Sequence, residues 1–219
     1  MNKNIAHLLS VASNPILRTP LLGELPRLPA FCGTRATELM SLLGSRNGFY
    51  AFESALLVRP LNFEGHPLGI VQWNSTALWK SDYKSDFGEA IFFAEDVFGM
   101  QFCIKDDLIN VFDPETGDLK VIAASLEDWA GWILKDAKIA TGWPLAHLWQ
   151  LNQGALEPGM RLLPKVPFVL GGEFTTENLY ALNDAEGMRF RASIANQLRD
   201  CPDGSTVVLN VQRKGKSES

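Results

Sequence analysis

The sequence predicts an α+β fold: a mainly antiparallel sheet flanked by helices, with a C-terminal extension packed on it. Three observations lead there. Four short strand-like runs, at 90–94, 100–105, 108–112 and 119–123, follow one another with only turn chemistry between them. Helical periodicity is confined to the segments before and after that block. Strands therefore cluster and do not alternate with helices as a parallel sheet requires. A chain of 219 residues, 46% hydrophobic and 21% charged, buries about 70% of its unfolded surface, enough for a core without disulfides or metals.

The elements follow in chain order. Ile5, Leu8, Leu9 and Ala12 stand at helical spacing until Asn14-Pro15 ends the run. Pro20, Pro26 and Pro29 favour an extended connection. Ala36, Leu39, Met40 and Leu43 form a second apolar stripe, stopped by Asn47-Gly48. Residues 55–61 read as a strand closed by Pro60, and Ile70, Trp73, Ala77 and Leu78 as a helix or helical turn. In the central block, Asp113-Pro114-Glu115-Thr116-Gly117 is the strongest local signal. Pro114 fits the second position of a type I turn, and Gly117 the left-handed residue that closes a four-residue hairpin loop. Period-two alternation places Phe93, Phe102, Ile109 and Val121 against one shared core.

Ser125 is the expected N-cap of a helix over 126–134, with Glu127 and Asp128 at the positive end of its dipole. Further helices are expected near 144–152 and 189–199, an extended segment at 162–170, a strand at 206–211 and a disordered polar tail at 213–219. No linker composition separates 137–212 from what precedes it. Trp143, Leu148, Phe168 and Leu198 are therefore expected to be buried against the first part. The chain divides into an N-terminal helix and connection (1–24), a core (25–136), the packed extension (137–212) and the tail.

Chemistry-bearing motifs are missing. The sequence holds no nucleophile elbow, phosphate-cradling loop, dinucleotide fingerprint or paired zinc-ligand spacing. His7, His66 and His147 lie far apart, and Cys32, Cys103 and Cys201 are odd in number and unpaired in spacing. Asp106, Asp107, Asp113 and Glu115 fail as a calcium loop, because Leu108, Ile109 and Val111 between them read as strand. No cofactor or metal is expected. Apolar runs fall well short of the ~20 residues of a membrane span, so a cytoplasmic protein without membrane contact is expected.

Charge is unevenly placed. Residues 1–80 hold seven Lys/Arg and four Asp/Glu, residues 81–128 three and twelve, and residues 129–219 ten and nine, for a net −5. The acidity thus belongs to one 48-residue block. Its sign is opposite to what nucleic-acid binding needs, and suits a basic protein partner.

The segments Glu38-Leu-Met-Ser-Leu-Leu-Gly-Ser-Arg-Asn47-Gly48 and Phe52-Glu53-Ser54-Ala55-Leu56 resemble the helix, Asn-Gly corner and following strand of the SUKH superfamily. That superfamily is named for the yeast cell-wall-assembly regulator and its bacterial and viral relatives. The run from Phe92 to Phe102, the hairpin 111–121 and the helix from Ser125 to Leu134 are similar to its central strand pair, last strand pair and closing helix. The likeness covers about residues 25–136. It implies an antiparallel sheet flanked by helices and, for many bacterial members, an immunity protein that neutralises a toxin, often a nuclease or deaminase. Eukaryotic relatives are non-enzymatic signalling and scaffolding proteins, and the superfamily supplies no catalytic residues to carry over.

The expected function is a non-enzymatic protein-binding module, an immunity protein whose partner is a basic toxin domain. The alternatives are a regulatory or scaffolding protein with an endogenous partner, and an enzyme, which a cleft holding perturbed carboxylates would favour. The expected partner-binding residues are Glu95, Asp96, Asp106 and Asp107, forming a compact exposed acidic patch that mimics phosphate charge.

Overall fold

Six antiparallel strands run as a meander, each paired with the next: β1 (Phe49–Ala51), β2 (Leu56–Val58), β3 (Ile91–Asp96), β4 (Gln101–Lys105), β5 (Leu108–Phe112) and β6 (Leu119–Ala123). A second sheet of two strands, β7 (Met160–Pro164) and β8 (Leu179–Asn183), stands apart from it. Among the described residues there are seven α-helices: α1 (Lys3–Ser10), α2 (Gly33–Ser45), α3 (Ile70–Trp73), α4 (Leu126–Lys135), α5 (Ala137–Thr141), α6 (Trp143–Gln153) and α7 (Asp184–Leu198). This is a computed structural model, and it describes residues 3–18, 33–199 and 201. The proline-rich connection, the strand at 206–211 and the tail expected from the sequence lie outside them.

The two faces of the large sheet are covered by different parts of the chain. On one face, Leu8 and Leu9 of α1, Leu39, Leu42 and Leu43 of α2, and Leu126, Trp129 and Ile133 of α4 pack on Phe93, Phe102, Ile104 and Ile109. On the other, Phe92, Cys103 and Phe112 meet Trp73, Trp79, Tyr83 and Phe87, and then Ala185, Met188, Ala192 and Ala195 of α7. Trp79 sits at the centre of that aromatic group, with ring centroids 5.0 Å from Phe92 and 5.5 Å from Phe87. The extension thus contributes α7 to one of the two layers that bury the sheet, beside the aromatic residues 73–87, and the division at 136 does not separate two cores.

Local signals explain several boundaries. Gly117 N–H donates to the Asp113 carbonyl at 2.8 Å with φ +78°, closing the β5–β6 loop as the turn chemistry requires. The Ser125 hydroxyl accepts from Asp128 N–H at 3.0 Å and caps α4. Other expectations need correction. Val121 is 53% exposed and faces away from Phe93, Phe102 and Ile109. Ile109 pairs with Ala123 but Asn110 with Val121, so an extra residue in β6 turns Val121 over. Leu148 is 51% exposed on the outer side of α6, whereas Trp143, Phe168 and Leu198 are half-buried. The extended segment at 162–170 ends at Pro164 and gives way to a 3-10 turn over Phe168–Leu170.

Between the sheet and the extension lies a buried ion cluster. Glu95 Oε1 accepts from Arg161 Nε at 2.7 Å and forms an ion pair with Arg59 Nη2 at 2.9 Å, while Arg59 Nη2 donates to Asp184 Oδ2 at 2.8 Å. All four side chains are at most 1% exposed. Gln101 Nε2 donates to Glu95 Oε2 at 2.7 Å, and the Arg59 guanidinium lies 3.4 Å from the centroid of a Trp73 ring. Burial pushes the Glu95 carboxyl up, but Arg59 and Arg161 outweigh it and hold the group below its ordinary range. Removing one member strands an opposite charge in a dry interior. Arg161→Met should therefore lower the unfolding free energy by about 3–5 kcal/mol in urea titrations; a loss below about 1 kcal/mol would show that the cluster does not tie the extension to the sheet.

Candidate functional site

The four acids expected to form one patch do not do so. Glu95 is fully buried in the ion cluster and Asp96 is 5% exposed. β3 lies between β2 and β4 and is buried along its whole length, so its acids face protein and not solvent. Asp106 and Asp107 form the β4–β5 turn at the far end of β4, roughly 15–20 Å away at about 3.4 Å per strand residue. Both have left-handed backbones, φ 54° and 55°. Asp106 is exposed. Asp107 Oδ1 accepts from Arg35 N–H in the first turn of α2 at 2.9 Å, so this acid caps a helix.

A different site stands out, where several parts of the chain converge. It is a cavity of about 590 Å³ lined by Asp96, the Phe98–Met100 turn, the β5–β6 loop, α5, the start of α6, the segment around Phe168 and Phe174, and Arg191 of α7. That volume is typical of a ligand pocket. Its wall is aromatic: Phe168 and Phe174 stack with centroids 4.0 Å apart, and Phe98 meets Phe168 edge-on at 5.3 Å. Its rim is apolar and open, with Ile139 83%, Phe174 66% and Val169 42% exposed. Gly142, at φ +70°, makes the tight joint between α5 and α6 on this side.

The floor is charged. Asp96 Oδ1 accepts from both Phe98 N–H and Met100 N–H at 2.9 Å, which leaves Oδ2 to the cavity. Glu115 is 6% exposed and its Oε2 accepts from Val169 N–H at 2.8 Å. Arg191 is 3% exposed; its Nε donates to the Gly187 carbonyl at 3.2 Å and its Nη1 to the Phe98 carbonyl. Burial is the main cause that pushes the Asp96 carboxyl up to about 7, against the two backbone donors and Arg191. Burial likewise raises Glu115. The sequence marked Asp96 as a candidate for the wrong reason, and it missed Glu115 and Arg191 as site residues. A signal for Arg191 was present: an arginine between Met188, Ala192 and Ala195 on the buried stripe of α7.

Among the described residues no group of three or more His, Cys, Asp or Glu side chains could hold a metal ion. Nor is any described helix long and apolar enough to cross a membrane.

Two outcomes follow from these side chains. Asp107→Ala should destabilise by about 1 kcal/mol more than Asp106→Ala, since the turn strain is common to both and only Asp107 caps α2; equal thermal shifts would remove that role. For Asp96, the folded pKa lies above the unfolded one, so the folded state holds the extra proton between about pH 4 and 7. Stability attached to Asp96 is then present below the unfolded value and lost as pH rises through about 7. Asp96→Asn, which keeps an acceptor for the two backbone donors, should raise Tm at pH 8 and reduce the fall in stability between pH 5 and 8. An unchanged slope would show that Asp96 titrates normally.

No protein-family model matches the chain, and no curated protein matches it. The likeness to the SUKH superfamily therefore rests on the sequence alone. Among solved structures, the chain is similar to the crystal structure of Atu4351 from Agrobacterium tumefaciens, with a TM-score of 0.56 and 15% identity, covering 88% of each chain. At that identity the similarity is one of fold.

Proposed function

We propose that the chain is a non-enzymatic protein-binding module that engages its partner at the aromatic cavity. The observation that carries this reading is the rim: Ile139, Val169 and Phe174 stand exposed around a concave site. Contiguous exposed apolar groups around a pocket mark interaction surfaces, and aromatic anchors at such a centre dominate binding energy. Within this reading, the SUKH resemblance and the net charge of −5 favour an immunity role against a basic toxin domain. The acids Asp82, Asp86, Glu89, Asp106 and Asp118 are exposed, and they serve long-range attraction more than contact energy. An endogenous regulatory partner would use the same cavity, and the identity of the captured protein separates the two.

One observation favours a second reading, an enzyme. Asp96 and Glu115 are both buried carboxyls with raised pKa, next to a ligand-sized cavity, as general acid–base catalysis requires.

The test is affinity capture from the native cell with the wild-type chain and with Ile139→Asp and Phe174→Asp. Both positions are exposed, so the circular dichroism spectrum and Tm of each variant should match wild type. The captured partner should be lost, with affinity reduced at least about tenfold, the scale of one anchor residue. A partner retained by both variants would move the binding surface elsewhere. A turnover of small-molecule substrate by the wild-type chain that Asp96→Asn and Glu115→Gln both abolish would favour the second reading.

A further inference from the structure

The charges beneath the cavity do not balance. The buried floor contains two carboxyls, Asp96 and Glu115, and one guanidinium, Arg191. Asp113, half-buried on the β5–β6 loop, adds a third carboxyl, while Lys138 of α5 is exposed at the rim and screened by water. Of the Asp96 oxygens, Oδ1 is taken by two backbone donors and Oδ2 accepts nothing among the described residues. Above this floor the wall is apolar, formed by Phe98, Phe168, Phe174 and Leu145. A neutral apolar occupant would leave the excess negative charge in a drier place than before. An anion would add to it. A cation on an apolar stem satisfies both layers, because methylene groups cover aromatic surface while the head takes the free carboxylate oxygen.

We propose that the partner protein inserts one Lys or Arg side chain into this cavity, its stem along Phe98, Phe168 and Phe174 and its charged head between Asp96 and Glu115. This rests on the cavity being the partner site, and it adds the chemistry of the inserted group. It also predicts a direction with pH. The groups facing Asp96 are Glu95 on its own strand, Arg191 on α7, Asp113 and Glu115 on the β5–β6 loop, and Lys138 on α5. Bringing one more cation to that set favours the ionised form of Asp96. Binding therefore releases a proton near neutrality and tightens as pH rises from 6 to 8.

The experiment titrates the full chain with n-hexylamine, n-hexanol and hexanoate, three probes of one stem and three head groups, followed by NMR shifts of residues around the cavity. Hexylamine should bind at least about tenfold more tightly than hexanol, the scale of a hydrogen bond to a charged group, and hexanoate most weakly. The amine preference should grow between pH 6 and 8, and should shrink to within about threefold in Asp96→Asn and in Glu115→Gln, both of which retain their backbone bonds. Hexanol binding as well as hexylamine would overturn the cation while leaving the cavity as the partner site. No probe shifting any cavity resonance would overturn both.

Discussion

Glu95 paired with two arginines in a dry interior is the contact on which the rest of the structure depends. Arg59 comes from the end of β2, Glu95 from β3, Arg161 from β7 and Asp184 from the first residue of α7. No two of these elements follow one another along the chain: α3 lies between β2 and β3, and β8 between β7 and α7. Ionic contacts in low dielectric are directional and intolerant of a missing partner. Glu95 therefore fixes the small sheet through Arg161, and Arg59 carries the tie on to α7 through Asp184. Asp184 adds a second task, since it begins the helix whose later turns carry Met188, Arg191 and Ala195.

That arrangement also builds the cavity. Arg191 reaches the floor only because α7 is held against the sheet, and its bond to the Phe98 carbonyl ties the β3–β4 turn to the same helix. The Glu115 bond to Val169 N–H joins the β5–β6 loop to the aromatic wall. A concave site with buried charge thus arises where the turns at one end of the large sheet meet α5, α6, the segment between β7 and β8, and α7.

The meander from β3 to β6 and the Ser125-capped helix were legible because their signals are local: alternation, a Pro114–Gly117 loop and a capping serine decide them within a few residues. The small sheet was half legible. Leu162 and Leu163 mark β7, but Tyr180 to Asn183 of β8 lack a strong alternating pattern and are fixed by pairing with β7. The site was the least legible part. Acidity along a sequence does not say which acids face solvent, and Glu95 and Asp96 read like Asp106 until Arg59, Arg161 and Arg191 are placed around them. Apolar neighbours on both sides of Arg59 and Arg161 were the available hint that these cations are interior and need carboxylate partners.

In β3 the ladder to β4 shifts between Phe92 and Ala94, where Phe93 and Ala94 both join the core under the helices while Phe92 is buried on the other face, ahead of Glu95 and Asp96. Strand residues alternate sides, and a slip of one position exchanges the two acids. Glu95 would then meet the turn that now holds Asp96, and Asp96, a methylene shorter, would lie before two arginines it cannot reach in the same way. Register is normally enforced by which face is greasy. Here both faces are greasy, and the lock is electrostatic. A single-residue deletion between 91 and 96 is consequently a frameshift in three dimensions: it leaves the hydrophobicity of the strand nearly intact and dismantles the ion cluster and the cavity together.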